Sequence, residues 1–150
     1  MLIDEEVIYI DKKESNQSIR MISQIGKKAR LCCTGVGKVI LAFQNRKFID
    51  KKINDINFKK YTENTIIDKE GLLKELGSIR EKGFSMDKEE NEKGICCVAA
   101  AIRNHSGKVI AGISITAVEI SMDMDGLLKY KDMLLEKADL ISKSLGYFRN

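Results

Sequence analysis

The chain has 150 residues, 43% hydrophobic and 32% charged, with 26 Lys and Arg against 22 Asp and Glu for a formal net charge of +4. That length buries about two-thirds of an unfolded chain's surface in a single domain, and interspersed lysines and acids argue against a nucleic-acid face, which concentrates basic residues. No apolar run approaches the ~18 residues of a membrane span and no signal-peptide pattern opens the chain, so a cytoplasmic protein with no membrane partner is expected.

Residues 5–12 alternate Val7, Tyr9 and Asp11 with Ile8 and Ile10 and predict a strand. Glu14 to Gln17 predict a polar turn. Residues 18–25 alternate Ile19, Met21, Ser23 and Ile25 with Arg20, Ile22 and Gln24, a second strand that partners the first and ends at Gly26-Lys27-Lys28. The run Thr34-Gly35-Val36-Gly37-Lys38 is not a phosphate loop, because Cys32 stands where glycine is needed and Val39 where Ser or Thr is needed. Nor is it a dinucleotide fingerprint, since Ile40 replaces the last glycine. Thr34 instead predicts the N-cap of a helix with Val36, Val39, Ile40 and Phe43 at helical spacing. The amides of Gly35 to Gly37 suit an anionic or carbonyl oxygen of a ligand, or the glycines serve only a tight turn.

Residues 46–58 predict a short amphipathic helix with Phe48, Ile49, Ile53 and Ile56 on one stripe. Asp68 predicts the cap of the next helix, Leu72, Leu73, Leu76 and Ile79 its buried stripe, and Gly83 its end. After a charged loop from Asp87 to Lys93, read as mostly a solvated lip, residues 94–103 and 108–118 predict a hairpin. Residues 127–145 predict one long helix, buried along Leu127, Tyr130, Leu134, Ala138, Ile141 and Leu145.

With a four-residue hairpin loop, Arg103 falls opposite Lys108, Cys97 opposite Ser114 and Ala99 opposite Gly112. One face then carries Cys96, Val98, Ala100 and Ile102 with Ile113 and Ile115, bulky enough for helices to cover. The other carries Cys97, Ala99, Gly112, Ser114 and Thr116, small residues with a thiol and two hydroxyls. That face suits a compact polar ligand, or the close approach of a helix. The cysteines come as adjacent pairs, Cys32-Cys33 and Cys96-Cys97, beside a single histidine, His105. Neighbours in a strand point to opposite faces, so the expectation is reduced, buried thiols with no metal centre and no cofactor. His105 sits about six strand steps, roughly 20 Å, from Cys97, too far to serve it as a base.

Gly83-Phe84-Ser85-Met86-Asp87, Glu89-Glu90, Gly94, Cys97-Val98-Ala99-Ala100 and the Gly107 turn resemble the effector-binding domain of the IclR family of bacterial transcriptional regulators. Thr34 with Gly37-Lys38, Leu41-Ala42, Thr65-Ile66, Ile141-Ser142 and Leu145-Gly146-Tyr147 extend the resemblance over essentially the whole chain, in order. It implies an α+β, GAF-like fold, a curved antiparallel sheet flanked by helices, that binds a small organic effector such as a carboxylic, 2-oxo or aromatic acid. It implies ligand contacts at Gly35 and Val36 through their amides, and at Asp87, Cys97, Ser114 and Thr116, with Met21, Ala29 and Ile95 lining the pocket. It further implies a homo-oligomer, a dimer or dimer of dimers, that meets DNA only through an N-terminal winged helix-turn-helix domain. The first strand begins too near Met1 to leave room for that domain, so residues 1–150 are expected to be the regulatory half alone. Arg30 and Ala101 depart from the family's usual prolines, Cys32 from a common histidine, and Ala117-Val118 from a frequent Gly-Pro. The competing readings are a cysteine-dependent enzyme using Cys97 and a thiol redox sensor using Cys32 or Cys97.

Overall fold

The computed structural model describes residues 1–14 and 24–148. A three-stranded antiparallel sheet in the order β3 (Phe84–Lys88), β4 (Ile95–Arg103), β5 (Val109–Val118) stands between two helical layers. One layer is α1 (Gly35–Ala42) backed by α3 (Lys69–Lys82), with α2 (Arg46–Asp55) contributing Ile49 and Ile53. The other is α4 (Met124–Leu128) and α5 (Lys131–Ser144). A small hairpin, β1 (Leu2–Ile3) and β2 (Glu6–Val7), opens the chain. The fold is α+β, as expected.

Strand pleat decides which residues meet which layer. Cys96, Val98, Ala100 and Ile102 pack with Leu127, Leu134 and Ala138, while Cys97 and Ala99 pack with Val39, Ile40 and Leu72. The expected faces therefore stand, although the register does not. Cys97 lies opposite Thr116, Ala99 opposite Ser114 and Ala101 opposite Gly112, two residues from the expected pairing. The turn takes five residues because Asn104 accepts the Lys108 N–H on its side-chain oxygen and donates its own N–H to Lys108 O. A bulge between Ile102 and Arg103 adds the second step. A slip of two keeps every side chain on its face, whereas a slip of one would invert them all.

Helix ends follow local chemistry. Asp68 accepts the Gly71 N–H at 2.7 Å to start α3, and Gly83 at φ +83° ends it. Two expectations need correction at the edges of the sheet. Regular strand in residues 5–12 is confined to Glu6–Val7, and the pairing continues through a bridge between Ile8 and Lys28. Ala29 donates to Val7 O and Tyr9 to Lys27 O, so residues expected to end a strand are the ones that pair. The second expected strand, 18–25, lies mostly outside the described residues.

Helix α2 stops at Asp55 rather than 58, because Ile56 is already extended. The single C-terminal helix is broken at Lys129 and Tyr130 into α4 and α5. The break turns the stripe: Tyr130, Ile141 and Leu145 are 43%, 37% and 44% exposed, and Ser142 is buried instead. Its hydroxyl donates to Ala138 O and accepts the Arg103 N–H. Among the described residues no helix is long and apolar enough to cross a membrane.

Candidate ligand site at the start of α1

The site begins with how α1 starts. Thr34 Oγ1 accepts the Gly37 N–H at 3.1 Å and donates to Arg30 O at 2.7 Å, and Thr34 O takes the Lys38 N–H. The Gly35 and Val36 amides are left without an acceptor among the described residues. Two glycines make this geometry possible. A Cβ on Gly37 would stand 2.2 Å from Arg30 O, and one on Gly35 would stand 2.8 Å from Cys97 Sγ and 3.3 Å from Ala99 Cβ. The helix backbone thus lands directly on β4, fixed there by Ser85 Oγ donating to Gly35 O at 2.7 Å.

Farther along α1, Val39 and Ile40 press on Gly112. The small-residue face therefore serves two ends: Ala99 and Gly112 receive the helix, whereas Ser114 and Thr116 stay half-buried. Burial pushes the Cys97 thiol up to about 11, a rise that the neighbouring Thr116 and Ser114 hydroxyls offset only in part. The thiol is protonated at neutral pH. Tyr9, with Cys97, Asp87 and Cys33 as electrostatic neighbours, is pushed up to about 12 by burial and keeps its hydroxyl proton. Asp87 pairs with Cys97 across β3 and β4, and its Oδ1 accepts the Glu90 N–H at 2.7 Å. Burial raises it to about 6 against the pull of the Glu90 and Asn91 amides and the Lys38 charge.

Gly35, Val36, Asp87, Cys97, Ser114 and Thr116 thus converge around the first turn of α1. Ile95 lies one pleat farther along β4, opposite Val118 and half-buried. Ala29 is buried with its amide on Val7 O, and Met21 lies outside the described residues.

The charged loop is not a solvated lip. Glu90 and Asp87 are buried, Glu89 Oε2 accepts the Gly94 N–H, and Thr62 and Thr65 hydroxyls donate to the Glu89 and Glu90 carbonyls. The cause is Lys38, which has no exposed surface and donates to both Glu90 oxygens at 2.7 Å and to Glu75 Oε1 at 2.8 Å. Burial raises Glu90 to about 7 despite that ammonium. Sequence reasoning passed over Lys38 once the phosphate loop was rejected. The signal was present: α1 is otherwise wholly glycine and apolar, so its one lysine had to be buried and paired. Tyr9, a strand residue by its sequence pattern, is held by backbone bonds to Gly26 and Lys27 and has Cys97 and Asp87 as electrostatic neighbours.

All four cysteines are free. The Cys32 thiol is lowered by its coupling to the adjacent Cys33 thiol, whose own proton is held more tightly. Cys33 Sγ also reaches Asn91 Oδ1 at 3.6 Å. His105 lies in the hairpin turn, its Cβ close beside Gly146. Among the described residues no three His, Cys, Asp or Glu side chains gather to hold a metal.

Residues 1–143 match the family model described as bacterial transcriptional regulator IclR C-terminal. The HTH-type transcriptional regulator KdgR of Escherichia coli K12 is 36% identical over 146 residues, 97% of this chain and 56% of that protein. The crystal structure of the Thermotoga maritima IclR aligns with a TM-score of 0.88 and 43% identity over 95% of this chain and 57% of that one. That of the C-terminal domain of E. coli KdgR gives 0.76 and 36%, over 85% and 77%. The chain spans about half the length of the curated relatives it matches.

Proposed function

Because the chain belongs to the IclR C-terminal family of bacterial transcriptional regulators, we propose that it is an effector-binding module in which a small organic acid binds at the start of α1 and controls a DNA-binding domain. One arrangement supports this reading: the two unspent amides open the helix that lands on β4 at Cys97 and Ala99, whose partners across the sheet are Thr116 and Ser114. A carboxylate or 2-oxo oxygen fits the Gly35 and Val36 amides, where the positive end of the helix dipole favours negative charge. Ser114 and Thr116 then hold a second oxygen, and Cys97 acts as a neutral hydrogen-bonding group. Asp87, spent on the Glu90 amide, orients the loop beside the ligand. Ala29 and Ile95 supply the wall.

The effector works through different affinities for two states of a homo-oligomer joined to a winged helix-turn-helix, since equal affinity shifts nothing. Cysteine chemistry has less support. Burial keeps Cys97 protonated, and the single histidine sits in the hairpin turn. Calorimetric titration of the wild type, Ser114→Ala and Cys97→Ala with a panel of short carboxylic and 2-oxo acids tests the site. Each substitution is expected to weaken the tightest acid by roughly tenfold, the loss of about one buried hydrogen bond. An affinity that neither substitution moves would reject it.

A further inference from the structure

At the opposite end of α1 a second cleft of about 430 Å³ opens between the last turn of α3, the end of β4 and the side of α5 that packs on β4. We infer that this cleft binds a small carboxylate with an apolar body, at a site separate from the effector site. The observation behind it is a pair of guanidinium groups held in place without acids. Arg80 Nε donates to Ala42 O, the last carbonyl of α1. Arg103 Nη1 donates to Gly107 O at 2.9 Å, and its guanidinium lies 4.8 Å over the Phe43 ring and 5.9 Å from the Tyr147 ring. Neither arginine forms an ion pair among the described residues.

Each guanidinium spends one N–H on a carbonyl and leaves the rest of its planar fork for a carboxylate, which it matches in two-pronged fashion. Stacking and the carbonyl contacts fix the forks beforehand, so little side-chain freedom is lost on binding. Lys82 adds a third cation at the rim. Of the two acids that also line the cleft, Asp139 is engaged by Lys143 at 2.7 Å, which leaves Glu81 alone against three positive charges. The field favours an anion. Ala101, Leu135 and Ala138 supply an apolar floor, so the ligand has both a charged head and a hydrophobic body, in a volume typical of small-molecule sites.

Sodium benzoate is the probe, with benzyl alcohol as its uncharged counterpart, titrated into the 15N-labelled chain and followed by amide shifts. Benzoate is expected to produce saturable shifts at Arg103, Ser142 and Tyr147 that benzyl alcohol does not. Arg80→Gln and Arg103→Gln should each weaken that response by about tenfold, the scale of a charge-assisted hydrogen bond. Arg103→Lys, which keeps the charge and loses the fork, should fall between. Ser114→Ala should leave these shifts unchanged. Melting curves identify a variant that has lost its fold, and the other arginine then carries the comparison. No saturable shift at those three amides, an equal response to benzyl alcohol, or affinity unaltered in both Gln variants overturns the inference. Shifts confined to the surroundings of Cys97 and Ser114 overturn it too, while leaving the proposed effector site standing.

Discussion

A lysine ammonium with no exposed surface is tolerable only because Glu90 and Glu75 meet it at 2.7 and 2.8 Å. Removing one member of a buried pair costs more than the pair contributes, since the survivor is left charged and dry. Lys38→Met is therefore expected to destabilise the chain by about 3–5 kcal/mol in urea unfolding, and Lys38→Met with Glu90→Leu to regain part of that loss. Equal unfolding midpoints for the single and double variants would refute the pairing argument. Glycines divide in the same way. Gly37→Ala places a methyl 2.2 Å from the Arg30 carbonyl and should cost at least ~2 kcal/mol, whereas Gly77→Ala, in open space inside α3, should add about 0.5–1 kcal/mol. Reversed signs in the two melting temperatures would remove the steric explanation.

At the level of elements, caps were legible and rotations were not. Thr34, Asp68 and Gly83 act within a few residues of themselves, so their roles could be read from neighbours in the chain. Thr34→Ala loses both the Gly37 acceptor and the donor to Arg30 O, and should lower stability by about 1–2 kcal/mol in thermal melts. A change under a few tenths would mean that tertiary packing alone holds the start of α1. The break between α4 and α5 left no local mark, because Leu127, Tyr130 and Leu134 keep helical spacing straight through it. The Ser142 hydroxyl that the break turns inward meets a distant partner, the Arg103 N–H at the end of β4.

Across the whole molecule, α1, α3 and the β3–β4 loop meet at one cluster in which Asp87, Glu90 and Glu75 surround Lys38. Burial raises Glu90 to about 7 and Asp87 to about 6, so the folded state holds these protons more tightly than the unfolded chain does. Their contribution is complete below the ordinary carboxylate range and is lost as pH rises through about 6 to 7. Tm should therefore rise as pH is lowered from about 8 to about 5, and Glu90→Gln should flatten the upper part of that rise. A Tm that is flat or falls over this window in the wild type would contradict it. The chain by itself determined which side of β4 and β5 faces which layer and where α1 and α3 begin, because pleat and caps depend only on near neighbours. It also singled out Cys97, Ser114 and Thr116, because alternation carries small polar residues to one face whatever the even slip in register. Only the tertiary structure decided that α1 covers part of that face, that the charged loop turns inward to Lys38, and that a bulge sets the hairpin register. Each of those depends on contacts between residues far apart in the chain, where burial and charge pairing outweigh local preference.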